Sequence, residues 1–251
     1  MFLSQSDTKL QPMKTLLIIC LAIALLSSCS TYQMNILSST NTVHNERTGE
    51  FKLENDSVKI LYSFAGENVP IHVSIYNKLN EPIYADWERS AFVMNKKSTS
   101  YADGVLQVNG TLSGTSVGRG IRYSDASINA QVTLPQNVAF IPPHSQVSKT
   151  ITNVDGKEFQ YIADTLFAKS KLPSGFGGDL KVKLAKFEQG KSPLFFKSYL
   201  TLYTLNNNVQ KLITYQNDFY ISEAFRSSLG PENFSDFGEN RGDHFYIKIP
   251  N

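Results

Sequence analysis

Apolar side chains recur at every second position through most of this chain. In "PIHVSIYN" (70–77), Ile71, Val73 and Ile75 alternate with His72, Ser74 and Tyr76, so the aliphatics share one face and the polar groups the other. That alternation predicts a half-buried strand with His72 outward. "SVKILYSF" (57–64), "SAFVMN" (90–95) and "DLKVKLAKF" (179–187) behave alike; in the last, Leu180, Val182 and Leu184 alternate with Lys181 and Lys183. "LFFKSYLTLYTL" (194–205) and "VQKLITYQNDFYIS" (209–222) are separated by Asn206-Asn207-Asn208. Asparagine tolerates left-handed backbone, so this pair predicts a hairpin. "HFYIKI" (244–249) predicts a closing strand. Helical periodicity is scarce, with "FQYIADTLFAKS" (159–170) its best short stretch. Many short strands with turn residues between them predict a mainly β chain folded as an antiparallel sandwich, not a parallel α/β sheet.

Three stretches break the rhythm. Leu16 to Leu26 is an unbroken apolar run behind Lys14, followed by Ser27 and Ser28. It is too short for the roughly 20 residues of a spanning helix and has the length of a signal-peptide core. The preceding "MFLSQSDTKLQP" is polar, which makes Met13 the better start. Residues 29–49 are polar and rich in Ser, Thr and Asn, the composition of a flexible tether. About 102–130 a Gly/Ser-rich stretch carries Gly104, Gly110, Gly114, Gly118 and Gly120 and predicts a long loop with weak strand pieces. Between and beyond these, residues 50–251 form a single sandwich domain.

Leu26-Ser27-Ser28-Cys29 resembles the lipobox of bacterial lipoproteins. The resemblance implies a diacylglycerol on the Cys29 thiol, cleavage before Cys29, and a signal peptide of residues 1–28. Two or three acyl chains hold a protein on a membrane far more firmly than one, at roughly 0.8 kcal/mol per buried methylene. The other cysteine, Cys20, leaves with the signal, so no disulfide is available and stability rests on core packing. About 220 residues suffice for a sizeable core. The near balance of 24 Lys+Arg against 22 Asp+Glu argues against nucleic acid as a partner.

Candidate chemistry is sparse. "GTSVGRG" (114–120) lacks the Lys-Ser/Thr of a P-loop, and His44, His72, His144 and His244 show no paired metal-ligand spacing. Neither a cofactor nor a catalytic residue is assigned. Asp86 and Glu88 flank Trp87, two carboxylates beside an aromatic as in glycosidase sites. Solvated surface charge is the simpler account of the two carboxylates, and Trp87 with Tyr84 is either core packing or a ligand-contact platform for a sugar. Asp56-Ser57-Val58 and Asp164-Thr165-Leu166 resemble the Asp-Ser/Thr-apolar O-glycosylation site of Bacteroidetes-type envelope proteins, which makes Ser57 and Thr165 candidate acceptors. Arg241-Gly242-Asp243 looks like an integrin tripeptide, but a turn before the last strand explains it.

"CSTYQ" (29–33), "ILYSFAGENVPIHVSIYNKLNEPIYADWERSAFVMN" (60–95), "FIPPHSQVSK" (140–149) and "NDFYISE" (217–223) are similar to a group of uncharacterised lipoproteins of Bacteroidetes-like bacteria. "IHVSIYNKLNEPIYADW" followed by "IPPHS" also resembles immunoglobulin-like bacterial domains, in which a Pro-Pro-x-Ser turn leads into an edge strand. These resemblances imply an immunoglobulin-like sandwich and an outer-membrane lipoprotein, facing the periplasm because "STYQMN" has no acidic residue after the cysteine. They carry over no catalytic residue. Three functional readings stand: a non-catalytic protein binding a protein or glycan partner through its loops, a glycan-active enzyme using Asp86 or Glu88 beside Trp87, and a structural or assembly factor.

Overall fold

The computed structural model describes residues 31–102, 137–151, 162–207 and 209–249, with the backbone of four short strands between 107 and 133. The chain enters through β1 (Thr31–Ser39) and β2 (Val43–His44), and runs through β3 (Phe51–Glu54), β4 (Val58–Ser63), β5 (Gly66–Glu67) and β6 (Ile71–Asn77). The long β7 (Ile83–Met94) returns as β8 (Lys97–Ser100). Short pieces follow: β9 (Gln107–Val108), β10 (Gly114–Ser116), β11 (Arg122–Ser124) and β12 (Val132–Thr133), pairing as β9–β12 and β10–β11. Then come β13 (Val138–Ile141), β14 (Gln146–Ile151), a 3-10 turn at Asp164–Leu166, β15 (Ala168–Pro173) and β16 (Asp179–Lys186). The hairpin of β17 (Phe195–Asn206) and β18 (Val209–Ser227), a helical turn at Ser235–Gly238 and β19 (His244–Ile249) complete the described chain.

Two sheets, antiparallel except for the parallel pair β19–β5, enclose the main core. The smaller has the order β14-β6-β4-β3-β2, and the ten-stranded sheet is built on β13-β7-β17-β18-β1-β19-β5. The fold is therefore mainly β, as the period-two pattern predicts. Ile71, Val73 and Ile75 are fully buried, while outward His72 meets Thr150 on β14 at 2.8 Å. Phe219 on the larger sheet packs edge-on against Phe51, Tyr62 and Phe64 at 5.0–5.3 Å between centroids, which joins the layers. The Tyr62 and Tyr101 hydroxyls meet at Ser198 Oγ, 3.1 and 2.8 Å away, so buried phenols acquire partners. The predicted hairpin closes at the pair Asn206–Val209, with Asn207 at φ 49°. The Pro142–Ser145 turn carries the chain from β13 in one sheet to the edge strand β14 of the other, and buried Asn77 holds it through the carbonyls of Ile141 and Pro142.

Two expectations are corrected. The proposed tether at 29–49 is ordered structure from Thr31 onward. β1 is an interior strand, paired with β18 on one side and β19 on the other, and Gln33, Met34 and Asn35 are fully buried. Polar composition misled because the buried amides satisfy one another: Gln33 Nε2 donates to Asn35 Oδ1 at 3.1 Å, and Arg226 Nε donates to Gln33 Oε1 at 2.9 Å. The helical candidate at 159–170 is, over its described part, one 3-10 turn followed by β15. The signal peptide, Cys29 and most of the Gly/Ser-rich stretch lie outside the described residues.

Candidate functional site

A cleft of about 920 Å³ is lined, among the described residues, by the larger sheet and its connections. β15 and β16 form its floor. They are joined through "PSGFGG" (173–178), where Gly177 and Gly178 sit at φ 94° and 79°. The register sets Lys169 against Lys183 and Lys171 against Lys181, four exposed lysines on one face. The intervening Leu172, Leu180, Val182 and Leu184 point the other way and pack with Met34, Phe225 and Phe234. The apolar side thus fixes the hairpin while its lysine side faces open space.

Arg226 closes the floor, opposite Lys183 on β18. It donates to Gln33 Oε1, to the Ile162 carbonyl at 2.7 Å and to the Asp164 carboxylate, and stacks 4.3 Å from the Phe167 ring. Arg226 thereby pins the 162–167 segment over buried polar groups. Asp164 is the sole carboxylate among the described lining residues and is committed to Arg226. Among the described residues no carboxylate forms an ion pair with any of the four lysines. Thr31, the first residue of β1, also lines this cleft. The site is accordingly a rigid cationic surface suited to anions.

A second polar cluster surrounds buried Asp243. Its carboxylate accepts from His44 Nε2 at 2.9 Å, His244 Nδ1 at 2.5 Å and Arg241 Nη2 at 3.1 Å. Burial pushes the Asp243 carboxyl up, but hydrogen bonds and positive charge from His244 and Arg241 outweigh it and hold the group well below the usual carboxylate range. Gly49, at φ 70°, lies so close to this carboxylate that a Cβ would overlap it. The cluster locks the segment after β1 to the turn before β19. Asp243 is 2% exposed, which excludes the integrin-type reading of its tripeptide.

The residues singled out from sequence fall apart in space. Trp87 is 3% exposed within the core, with Lys149 Nζ 5.5 Å from its ring, so it offers no platform to a sugar; this corrects its assignment as a ligand contact. Half-buried Tyr84 stacks on Tyr203 at 4.9 Å, which occupies a ring face. Asp86 is buried and caps the bulge that follows it, accepting from the Arg89 backbone N–H at 3.0 Å, whereas Glu88 is exposed. The strand irregularity between Asp86 and Ala91 is what separates the two carboxylates. Ser57 is half-buried, and Thr165 is exposed beside Asp164 at the cleft. Among the described residues no group of three or more His, Cys, Asp or Glu is arranged to hold a metal.

The lysine floor escaped the sequence reading, although its signal is present. "AKSKLP" and "DLKVKLAK" each place lysine at alternate positions, and only their pairing through "PSGFGG" merges the stripes. No protein-family profile, curated protein or solved structure matches this chain.

Proposed function

We propose that this chain is a membrane-anchored envelope lipoprotein with a non-catalytic binding role, held by acyl chains on Cys29 and presenting a cationic cleft to an anionic partner. The cleft is the observation that carries the reading. Its lysines are compact, strongly hydrated point charges on a rigid hairpin, and its carboxylate is tied to an arginine. Such an arrangement favours charge recognition over proton transfer. The lipobox resemblance supports the anchor, and the absence of an acidic residue in "STYQMN" supports the periplasmic face of the outer membrane. Exposed Thr165 is a better acceptor for O-glycosylation than half-buried Ser57.

Mass spectrometry of the N-terminal peptide of the processed protein tests the anchor: an acylated Cys29 is expected, and Cys29→Ala should block the processing that exposes it. An unmodified Cys29 thiol in protein from growing cells would end this proposal.

A further inference from the structure

We infer that the lysine floor of the cleft docks on the membrane itself, taking the phosphate groups of anionic lipids beside the anchor; this rests on the acylation of Cys29 proposed above. Two cross-strand pairs, Lys169 with Lys183 and Lys171 with Lys181, set like charges face to face. Directly opposed residues have Cβ atoms about 4.5–5.5 Å apart, a spacing at which like charges repel. Arg226 extends the upper pair into a row of three cations across three strands, and Asp164 pairs with Arg226 and not with the lysines. A surface built this way is relieved by an external anion.

Location identifies the anion's source. Thr31 lines the same cleft, and Cys29 precedes it by two residues, which span at most about 7 Å of extended chain. β1 is hydrogen-bonded on both edges from Thr31 or Tyr32 onward, so Ser30 alone lies in sequence between Cys29 and the sheet. Acyl chains on Cys29 therefore bring the headgroup layer to the mouth of the cleft. Lysine also suits this occupant. Two rows of point charges match a mobile array of phosphates, where a single fixed phosphate would call for the bidentate fork of arginine. The Leu172, Leu180 and Leu184 face holds the hairpin against Met34 and Phe225, so the charges are presented on a fixed platform.

Vesicle binding by the processed chain, residues 29–251 with Cys29→Ser, tests this without the apolar leader or any acyl chain. Vesicles of phosphatidylcholine alone are compared with vesicles that also contain phosphatidylglycerol. Binding is expected to be stronger to the anionic vesicles and to weaken as salt rises. At roughly five-fold per lysine, joint replacement of Lys169, Lys171, Lys181 and Lys183 by Gln should lower that affinity several hundred-fold. The same joint change at Lys59, Lys96, Lys191 and Lys211, which lie outside the cleft lining, should leave most of it. Lys171→Gln alone, expected to cost about five-fold, covers the case in which the quadruple variant folds poorly. Equal binding to both vesicle types, an equal loss in the two quadruple variants, or tighter capture of a single-stranded oligonucleotide than of anionic vesicles would overturn the inference. The N-terminal peptide mass reports acylation separately, so failure of the anchor and failure of the docking surface are distinguishable.

Discussion

Lys169 lies directly opposite Lys183 across the β15–β16 hairpin, and Lys183 lies opposite Arg226 on β18. Such an alignment costs stability, and replacing one member by an acid should recover some of it. Lys169→Glu is expected to add about 0.2–1 kcal/mol and to raise the melting temperature at low salt, with the gain shrinking as ionic strength increases. The same variant should bind anionic vesicles more weakly. A lower melting temperature at low salt would show that Lys169 is not under repulsion.

Asp243 gives the fold an acid-sensitive lock. Its carboxyl is depressed in the folded state, so its stabilising contribution is fully present above the unfolded value near 4 and is lost as pH falls toward the folded value. Denaturant unfolding should therefore show stability declining below about pH 4. Asp243→Asn should lower stability at neutral pH by roughly 3–5 kcal/mol, because it removes one member of a buried charge cluster, and should flatten the acid limb. An acid limb unchanged in the variant would assign it to other carboxyls.

Arg226 holds the 162–167 segment to the sheet. Arg226→Met should cost about 2–4 kcal/mol, leaving the Gln33 amide and the Ile162 carbonyl without their donor. Limited proteolysis should then cut near residues 162–167 before the rest of the domain. Arg226→Lys should not restore resistance, since a lysine cannot reach three acceptors with a planar fork.

The core assignments of Val73 and Trp87 predict stability changes of known sign. Val73→Asp puts an unpaired charge where the side chain is fully buried and should cost several kcal/mol, on the order of complete unfolding for a marginal domain. Trp87→Ala should cost about 3–5 kcal/mol by leaving a cavity. Thermal melting checks both, and an unchanged midpoint for either would contradict its burial.

The strands around Ile71, Val73 and Ile75, the Asn206–Asn207 hairpin and the final "HFYIKI" strand were legible in the chain, because period-two alternation and turn chemistry are local properties of the backbone. Thr31–Ser39 was not. Its buried face carries Gln33 and Asn35, which bond each other, while Arg226, far along the chain, donates to Gln33 Oε1. Trp87 had the opposite problem: its neighbours Asp86 and Glu88 suggested a site, while the packing around it made it part of the core.

By itself the sequence determined a mainly β chain with alternating faces and an apolar run from Leu16 to Leu26 ahead of Cys29, since each follows from residue type and near-neighbour spacing. Tertiary structure alone decided which faces meet. Two lysine stripes became one floor when β15 paired with β16, and His44 reached Asp243 across 199 residues. The physical reason is that side-chain periodicity specifies which face of a strand is buried but says nothing of the strand that lies beside it. That choice belongs to long-range pairing and to the packing of the two sheets.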